Sequence, residues 1–207
     1  MELITNKANA LEAVRQDGYV LELASKELRN DKEVVLVAVK QNGKALEYSS
    51  DELKNDKEVV LAAVKQTGVA LYYTNYELKN DKEVVLSAIK QNVLALQCAS
   101  KELRNDRDVV LEAVKQNGES LFYASEEMKN EKEIVLEAIK QDGLALEYAS
   151  TELKQNKDCL YILKDFLVDN KDKFPREYEL LIKYEREDEL IKNLDEKENL
   201  TKIRKKV

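Results

Sequence analysis

The sequence predicts an all-α fold: a right-handed-type α-solenoid of tandem 25-residue two-helix repeats with a helical C-terminal cap. Three observations predict it. The stretch from Asp31 to Asn55 returns at Asp56, Asp81, Asp106 and Glu131 without insertion, after a degraded copy that begins at Asn6. A constant internal period of this length marks stacked supersecondary units that share one continuous core. Glycine occurs five times and proline once, against abundant Ala, Leu, Val, Glu and Lys, a composition that favours helix throughout. Each unit also carries helix start and stop signals at fixed places. Residues 6–155 are therefore six repeats, 156–175 a divergent seventh copy or capping helix, and 176–207 a charged helical C-terminal segment.

With columns counted from Asp31 as one, the run Asn30-Asp31-Lys32-Glu33 reads as an N-cap at Asn30 with a capping-box glutamate at Glu33. The first helix of each repeat starts there. It ends at column 13, where Gly18, Gly43, Gly68, Gly118 and Gly143 follow a Lys-Gln pair, as a left-handed glycine C-cap would. Repeat four has Val93 at this point. A β-branched residue forced left-handed costs about 1–2 kcal/mol, so Val93→Gly is expected to raise the melting temperature. At 100° per residue, the apolar columns 4, 5, 6, 8 and 9 span an arc of about 200°, wide enough to touch a partner helix and both neighbouring repeats. Alanine holds column 8 throughout (Ala13, Ala38, Ala63, Ala88, Ala113, Ala138), as a tight crossing requires.

The second helical part occupies columns 14 to 24. Its apolar columns 15, 16, 19 and 23 face the core, and a tyrosine at column 18 (Tyr48, Tyr73, Tyr123, Tyr148) flanks them with its ring buried and its hydroxyl near water. Serine at column 20 either sits mid-helix or caps a fresh turn, so this part is one helix or two short ones. About seven large apolar side chains per unit, at roughly 2 kcal/mol each, do not match the ordering of 25 residues at about 1 kcal/mol or more apiece. The repeats must stack to fold.

At the ends the pattern changes. Asn9 and Ala10 replace bulky apolar residues in the first copy, and the seventh copy continues as DCLYILKDFLVDN with no glycine, predicting a longer terminal helix. Phe174-Pro175 breaks the chain, with proline suited to the first turn of a further helix. Apolar residues at 180, 181, 184, 190, 191 and 194 mark a weak helical seam that reads as a capping helix, ahead of a basic end at Lys202, Arg204, Lys205 and Lys206.

Composition bounds the function. Residues 1–170 hold 23 Lys/Arg against 31 Asp/Glu, that is, the totals of 34 and 41 less the 11 and 10 in residues 171–207. An acidic array makes nucleic acid an unfavoured partner, because phosphate contact needs excess Lys and Arg. There is no histidine and no CxxC pair, so no metal site is expected, and Cys98 and Cys159 read as reduced core thiols. No glycine-rich phosphate loop, nucleophile elbow or isolated polar cluster stands outside the repeat, and neither an enzyme nor a cofactor is expected. The N-terminal stretch shows no signal pattern and no apolar run reaches about 18 residues, so no membrane is expected. A cytoplasmic monomer is the reading, and export without a signal peptide is compatible with the same sequence.

Recognition then falls to exposed columns that vary. On the second helical part, columns 14, 17 and 21 are mostly charged, but repeat three carries Val69, Tyr72 and Tyr76. Leu94 and Phe122 extend this into the next two repeats, and exposed apolar clusters of this kind mark interaction sites. These five residues are the candidate contacts for a protein or peptide. The alternative is a weak nucleic-acid or anionic-ligand binder using the basic tail and the lysine ladder of column 10: Lys40, Lys65, Lys90, Lys115 and Lys140. The structural reading of that ladder pairs each lysine with the glutamate of column 3 or with a neighbouring repeat.

The repeat pattern ND-K-E-VVL-x-A-V-K-Q-N-G-x-A-L-x-Y-A-S-x-E-L-K-N over residues 6–155 resembles the bacterial and protist family catalogued as domain of unknown function 4116. The resemblance implies a helical repeat module, often in tandem, and brings no activity or catalytic residues. Val93, Cys98, Asn9 and Ala10 depart from the pattern.

Overall fold

The computed structural model describes residues 3–183. Seven α-helices recur at the repeat spacing: α1 (Lys7–Gln16), α2 (Lys32–Gln41), α3 (Lys57–Gln66), α4 (Lys82–Gln91), α5 (Arg107–Gln116), α6 (Lys132–Gln141) and α7 (Lys157–Asp169). Each packs on the next, and no strand is present among the described residues beyond one isolated bridge at Ile4 and Ala24.

The N-cap lies one residue later than the sequence suggests. Asp31, not Asn30, has the extended backbone of a cap, and its carboxylate accepts the N–H groups of Glu33 and Val34. Glu33 is released from a capping box and instead meets Lys7 of the preceding repeat at 2.8 Å. Asn30 ends the preceding short turn, and its side-chain oxygen accepts the Ser50 hydroxyl of the next repeat.

The helix also stops differently. No glycine has a positive φ among the described residues. The stop is column 12: Asn42 takes an extended backbone (φ −146°, ψ 110°), its N–H returns to the Ala38 carbonyl, and its side chain accepts the Lys44 N–H. This Asx turn closes one helix and opens the next element. The glycine is there for closeness. A Cβ on Gly68 would stand 2.2 Å from the Ala88 carbonyl oxygen of the next repeat, and one on Gly43 would stand 2.3 Å from that of Ala63. Column 13 and the alanine of column 8 are thus two sides of one contact. The glutamine of column 11 staples it: the Gly18 N–H donates to Gln41 Oε1 at 2.8 Å, and Gln41 Nε2 donates to the Gln16 carbonyl at 3.3 Å.

The second helical part is two short pieces. Residues Gly43–Tyr48 form a 3-10 segment, and a closing turn follows at Leu53–Asn55. Four repeats build this turn as four residues of α-helix, at Lys26–Arg29, Tyr76–Lys79, Glu126–Lys129 and Thr151–Lys154. The residue at column 20 opens the turn: Ser50 Oγ accepts the Leu53 N–H. Its own N–H donates to the Arg29 carbonyl of the preceding repeat at 2.9 Å, a bond repeated at Ser100, Ser125 and Ser150. Ile4 supplies the equivalent carbonyl to Ser25.

Columns 4, 5, 8 and 9 are buried, as in Val59, Val60, Ala63 and Val64, while the leucine of column 6 is half-buried. Columns 15, 16 and 23 complete the core with Ala70, Leu71 and Leu78. At about 2 kcal/mol for each large side chain, this shared burial is the main favourable term.

A polar ladder runs beside the core. The column 2 cation meets the acids at columns 1 and 3 of the following repeat: Lys32 with Asp56 and Glu58, Lys57 with Asp81 and Glu83, Lys82 with Asp106 and Asp108. Burial opposes the charge on Asp56, but the Lys32 ammonium and the Val59 and Glu58 N–H groups outweigh it and hold the carboxyl below its ordinary value of 3.8.

Helix α7 is longer than its predecessors and covers Gly143 with the Phe166 ring rather than with a backbone carbonyl. A further helix, α8, begins at Pro175 and is described to residue 183. The remainder of the seam, from residue 184, and the basic end at Lys202 to Lys206 lie outside the described residues.

Val93 changes one junction. It is not left-handed, so the expected strain is not there. It does carry the side chain for which the other junctions have no room. Helices α4 and α5 pack less closely than any other consecutive pair, the following segment Ala95–Cys98 turns α-helical, and the buried core divides in two within α5.

Candidate partner-binding site

The 3-10 segments stack side by side along the array, so their columns 14 and 17 form one outward ridge. A 3-10 helix repeats every three residues, which eclipses these two columns. Column 21 belongs to the separate closing turn. The i, i+3, i+7 face expected of a continuous helix is therefore divided.

The five candidate residues fall into separate settings. Tyr72 is 68% exposed, its ring edge-on to Tyr73 at 5.4 Å and beneath the Lys79 ammonium at 5.7 Å. Tyr76 is 62% exposed, and its hydroxyl donates to Glu102 of the next repeat at 2.9 Å. That bond raises the Tyr76 hydroxyl above its usual range. Val69 is half-buried. Leu94 (49% exposed) and Phe122 (55% exposed) do come together, as walls of a cleft of about 120 Å³ with Val93, Tyr123 and Tyr148.

The reason for the uneven exposure lies in column 18. Its rings lean back on the preceding repeat: Tyr48 against Tyr19 at 6.2 Å, Tyr148 against Phe122 at 5.3 Å. In repeat four that ring is replaced by Cys98, so Tyr72 has no ring from the next repeat over it. Cys98 is half-buried and Cys159 buried, both as free thiols, and burial pushes both thiols up.

Sequence reasoning missed Ser120. It stands in column 15, where repeats two to four and six have alanine, and that single difference was the available signal. Ser120 is 2% exposed and lines the cleft, and its hydroxyl has no hydrogen-bond partner among the described residues.

The lysine ladder of column 10 is not paired as expected. Column 3 acids are taken by the column 2 cations, and Lys40, Lys65, Lys90 and Lys115 are exposed with no ion pair among the described residues. Each sits in the last turn of its helix, where a cation offsets the negative end of the dipole. Only Lys140 has an acid near, Glu137 at 3.6 Å.

Among the described residues, no group of three His, Cys, Asp or Glu side chains is placed to hold a metal ion, and no helix is long and apolar enough to cross a membrane. An open polar groove of about 690 Å³ runs over the first three repeats beside Asn42 and Lys44.

Fold and surface together define an α-helical tandem-repeat protein with an uneven outer ridge. The chain belongs to the family described as a domain of unknown function (DUF4116), whose model matches residues 9–54, 56–104 and 106–154. Each match spans two of the 25-residue units, so the family's unit is a pair of repeats. The chain matches no curated protein and no solved structure.

Proposed function

We propose that this protein is a non-catalytic scaffold that binds a protein or peptide through the ridge of its 3-10 layer. The observation that carries the reading is the exposure of Tyr72, Leu94 and Phe122 on that ridge, with Tyr76 exposed on the adjoining closing turn, at positions each of which is charged in at least one other repeat. Exposed aromatic and apolar residues on a rigid array are the usual anchors of recognition. Tyr72, Tyr76 and Phe122 contact Tyr73, Glu102 and Tyr148 yet keep more than half of their surface open, and each has an acidic, basic or amide counterpart in another repeat. The cytoplasm fits an array that keeps two free thiols.

The test is the triple variant Tyr72→Ser, Tyr76→Ser, Phe122→Ser. An unchanged circular dichroism spectrum with loss of captured partner is expected. Unfolding, or capture that persists, overturns the reading.

A second reading has one observation in its favour: four unpaired lysines at constant spacing along one face. Weak binding of RNA or another polyanion through them would fall steeply with salt. Replacing Lys40, Lys65, Lys90 and Lys115 by Gln would abolish it and leave peptide binding unchanged. The acidic balance of the array favours the first reading.

A further inference from the structure

The junction between repeats four and five is held at one edge and parted at the other. A ten-residue α-helix is about 15 Å long, so the two edges are well separated. At the start of α5 the contacts repeat those of both neighbouring junctions. Lys82 meets Asp106 at 2.9 Å and Asp108 at 2.8 Å, as Lys57 and Arg107 meet the acids beyond them. The Ser125 N–H donates to the Arg104 carbonyl at 2.9 Å, and the Ser125 hydroxyl donates to Asn105 Oδ1, as Ser100 and Ser150 do with Asn80 and Asn130. At the far ends of the helices the order is lost. The neighbouring junctions close on Gly68 and Gly118, each against an alanine carbonyl, and here Val93 stands in that place. Both layers part there. Helices α4 and α5 pack less closely than any other consecutive pair, and Ala95–Cys98 packs less closely on Gly118–Tyr123 ahead of it than on Gly68–Tyr73 behind it. The buried core follows suit: Val109 and Ala113 of α5 share a core with repeats one to four, Val110 and Val114 with repeats five to seven.

We infer that this junction is a hinge: repeats one to four and repeats five to seven rock as two arms about the edge held by Lys82 and Ser125, and the edge at Val93 opens and closes. Motion between packed bodies is taken up where interdigitated contacts are fewest. A lysine on a flexible stem and two hydrogen bonds on one edge tolerate a small rotation, whereas the glycine junctions on either side, with a carbonyl against the bare Cα, leave no room for one. The moving edge carries the cleft of about 120 Å³ that Leu94 of the first arm and Phe122 of the second wall between them. The ridge is cut by the same line, with Tyr72 on the first arm and Phe122 on the second. The hinge angle therefore sets how far apart these exposed rings stand, and a partner that grips both selects one angle from those the free chain visits. The hinge stands on the junction alone. Only this consequence rests on the reading of the 3-10 ridge as a partner surface.

The test places pairs of nitroxide labels on the full chain and measures their distance distributions by pulsed dipolar spectroscopy. Cys98 is changed to alanine throughout, and Cys159 is buried and left in place. Lys65→Cys with Lys115→Cys spans the junction at its parted edge, and Glu77→Cys with Glu127→Cys spans it at the held edge. Lys40→Cys with Lys90→Cys crosses two glycine junctions for comparison, and all six positions are exposed. Two helix spacings are roughly 20 Å, within reach of the method. The Lys65–Lys115 distribution should be at least about twice as wide as that of Lys40–Lys90, and the Glu77–Glu127 distribution as narrow as the comparison. Val93→Gly should narrow the first to the width of the comparison, and Val93→Ala serves in its place if circular dichroism shows that the glycine variant has not folded. Equal widths for Lys65–Lys115 and Lys40–Lys90 overturn the hinge. So does breadth at both edges, which marks general loosening, or breadth that survives the change at Val93. None of these measurements involves a partner, so the hinge and the partner reading of the ridge fail separately.

Discussion

Repeats three and four meet at Gly68, while repeats four and five meet at Val93, under the same capping and the same ladder. Asp81 and Asp106 both cap their helices, accepting the Val84 N–H and the Val109 N–H respectively, and Lys57 and Lys82 cross the two junctions to the acids beyond at similar distances. The backbone approach differs, and with it the segment that follows, which is 3-10 after Gly68 and α-helical after Val93. Gly68 lets its neighbour's Ala88 carbonyl come so near that a Cβ would stand 2.2 Å away, and Val93 keeps α5 off. What the pair teaches is that electrostatic and hydrogen-bonded contacts at the edge tolerate a change of spacing, whereas core packing does not. A long lysine can follow a moving partner. Close-packed atoms have no slack, and the buried core divides in two within α5, next to the wider junction.

The largest expected effect acts on both junctions at once. The carboxyls of Asp31, Asp56, Asp81 and Asp106 are held below 3.8 despite burial, by the lysine of the preceding repeat and by backbone N–H groups. A depressed folded value means stability that is present above the ordinary value and lost as pH falls through the folded one. The melting temperature should be level near neutrality and drop below about pH 4. The lysines of the ladder, raised above 10.5 by the same bonds, lose their share only as pH climbs through that higher value. A thermal melt that holds steady to pH 2.5 would remove the ladder from the account.

Next in size is Gly68→Ala, which forces at the tight junction what Val93 does at the loose one. Overpacking of this kind costs about 1–3 kcal/mol, measurable by urea unfolding. A neutral result would mean that the close approach is not needed for stability.

Val93→Gly is the reverse experiment and should be milder. Left-handed strain is not there to be relieved, and glycine gives back about 0.5–1 kcal/mol of chain entropy. A net gain below about 1 kcal/mol is expected from closer packing. Hydrogen exchange gives the sharper signal: amides from Leu94 to Cys98 should open more readily than those from Lys44 to Tyr48 in the natural chain, and equally in the variant. Equal exchange before the substitution would contradict a loose junction.

The smallest effect is Ser120→Ala. Removing a buried hydroxyl without a partner should stabilise the fold by about 0.5–1 kcal/mol. Stability lost instead would show that Ser120 has a structural partner.

Much of this was legible in the primary structure, because a period repeats its own evidence. The acid at column 1, the apolar columns 4, 5, 8 and 9 and the core leucine of column 16 are local or periodic features that repeats two to six restate, although the cap itself falls on Asp31 and not on Asn30, where the letters alone place it. The long α7 and the helix that opens at Pro175 follow from the same local rules of capping and proline geometry. Where the period breaks, at Val93, Cys98, Tyr72 and Ser120, the sequence marks a place without saying what happens there.

The tertiary structure alone decided the meaning of those places. A glycine after a helix is the same letter whether it turns left-handed or lets a neighbour's carbonyl approach, and only the Ala88 oxygen beyond Gly68 separates the two. Lys57 reaches Asp81 across a repeat boundary, while Lys65, an equally constant lysine, faces solvent. Tyr76 leaves the ridge of Tyr72 because the chain bends between the 3-10 segment and the closing turn. Leu94, Phe122 and Ser120 meet around one cleft although 28 residues separate the first from the second. Sequence determines what each 25-residue unit does with itself, since capping, helix propensity and burial act within a few residues. How closely two units approach depends on shapes that meet only after both have folded, and there one methine and two methyl groups at Val93 outweigh an otherwise constant pattern.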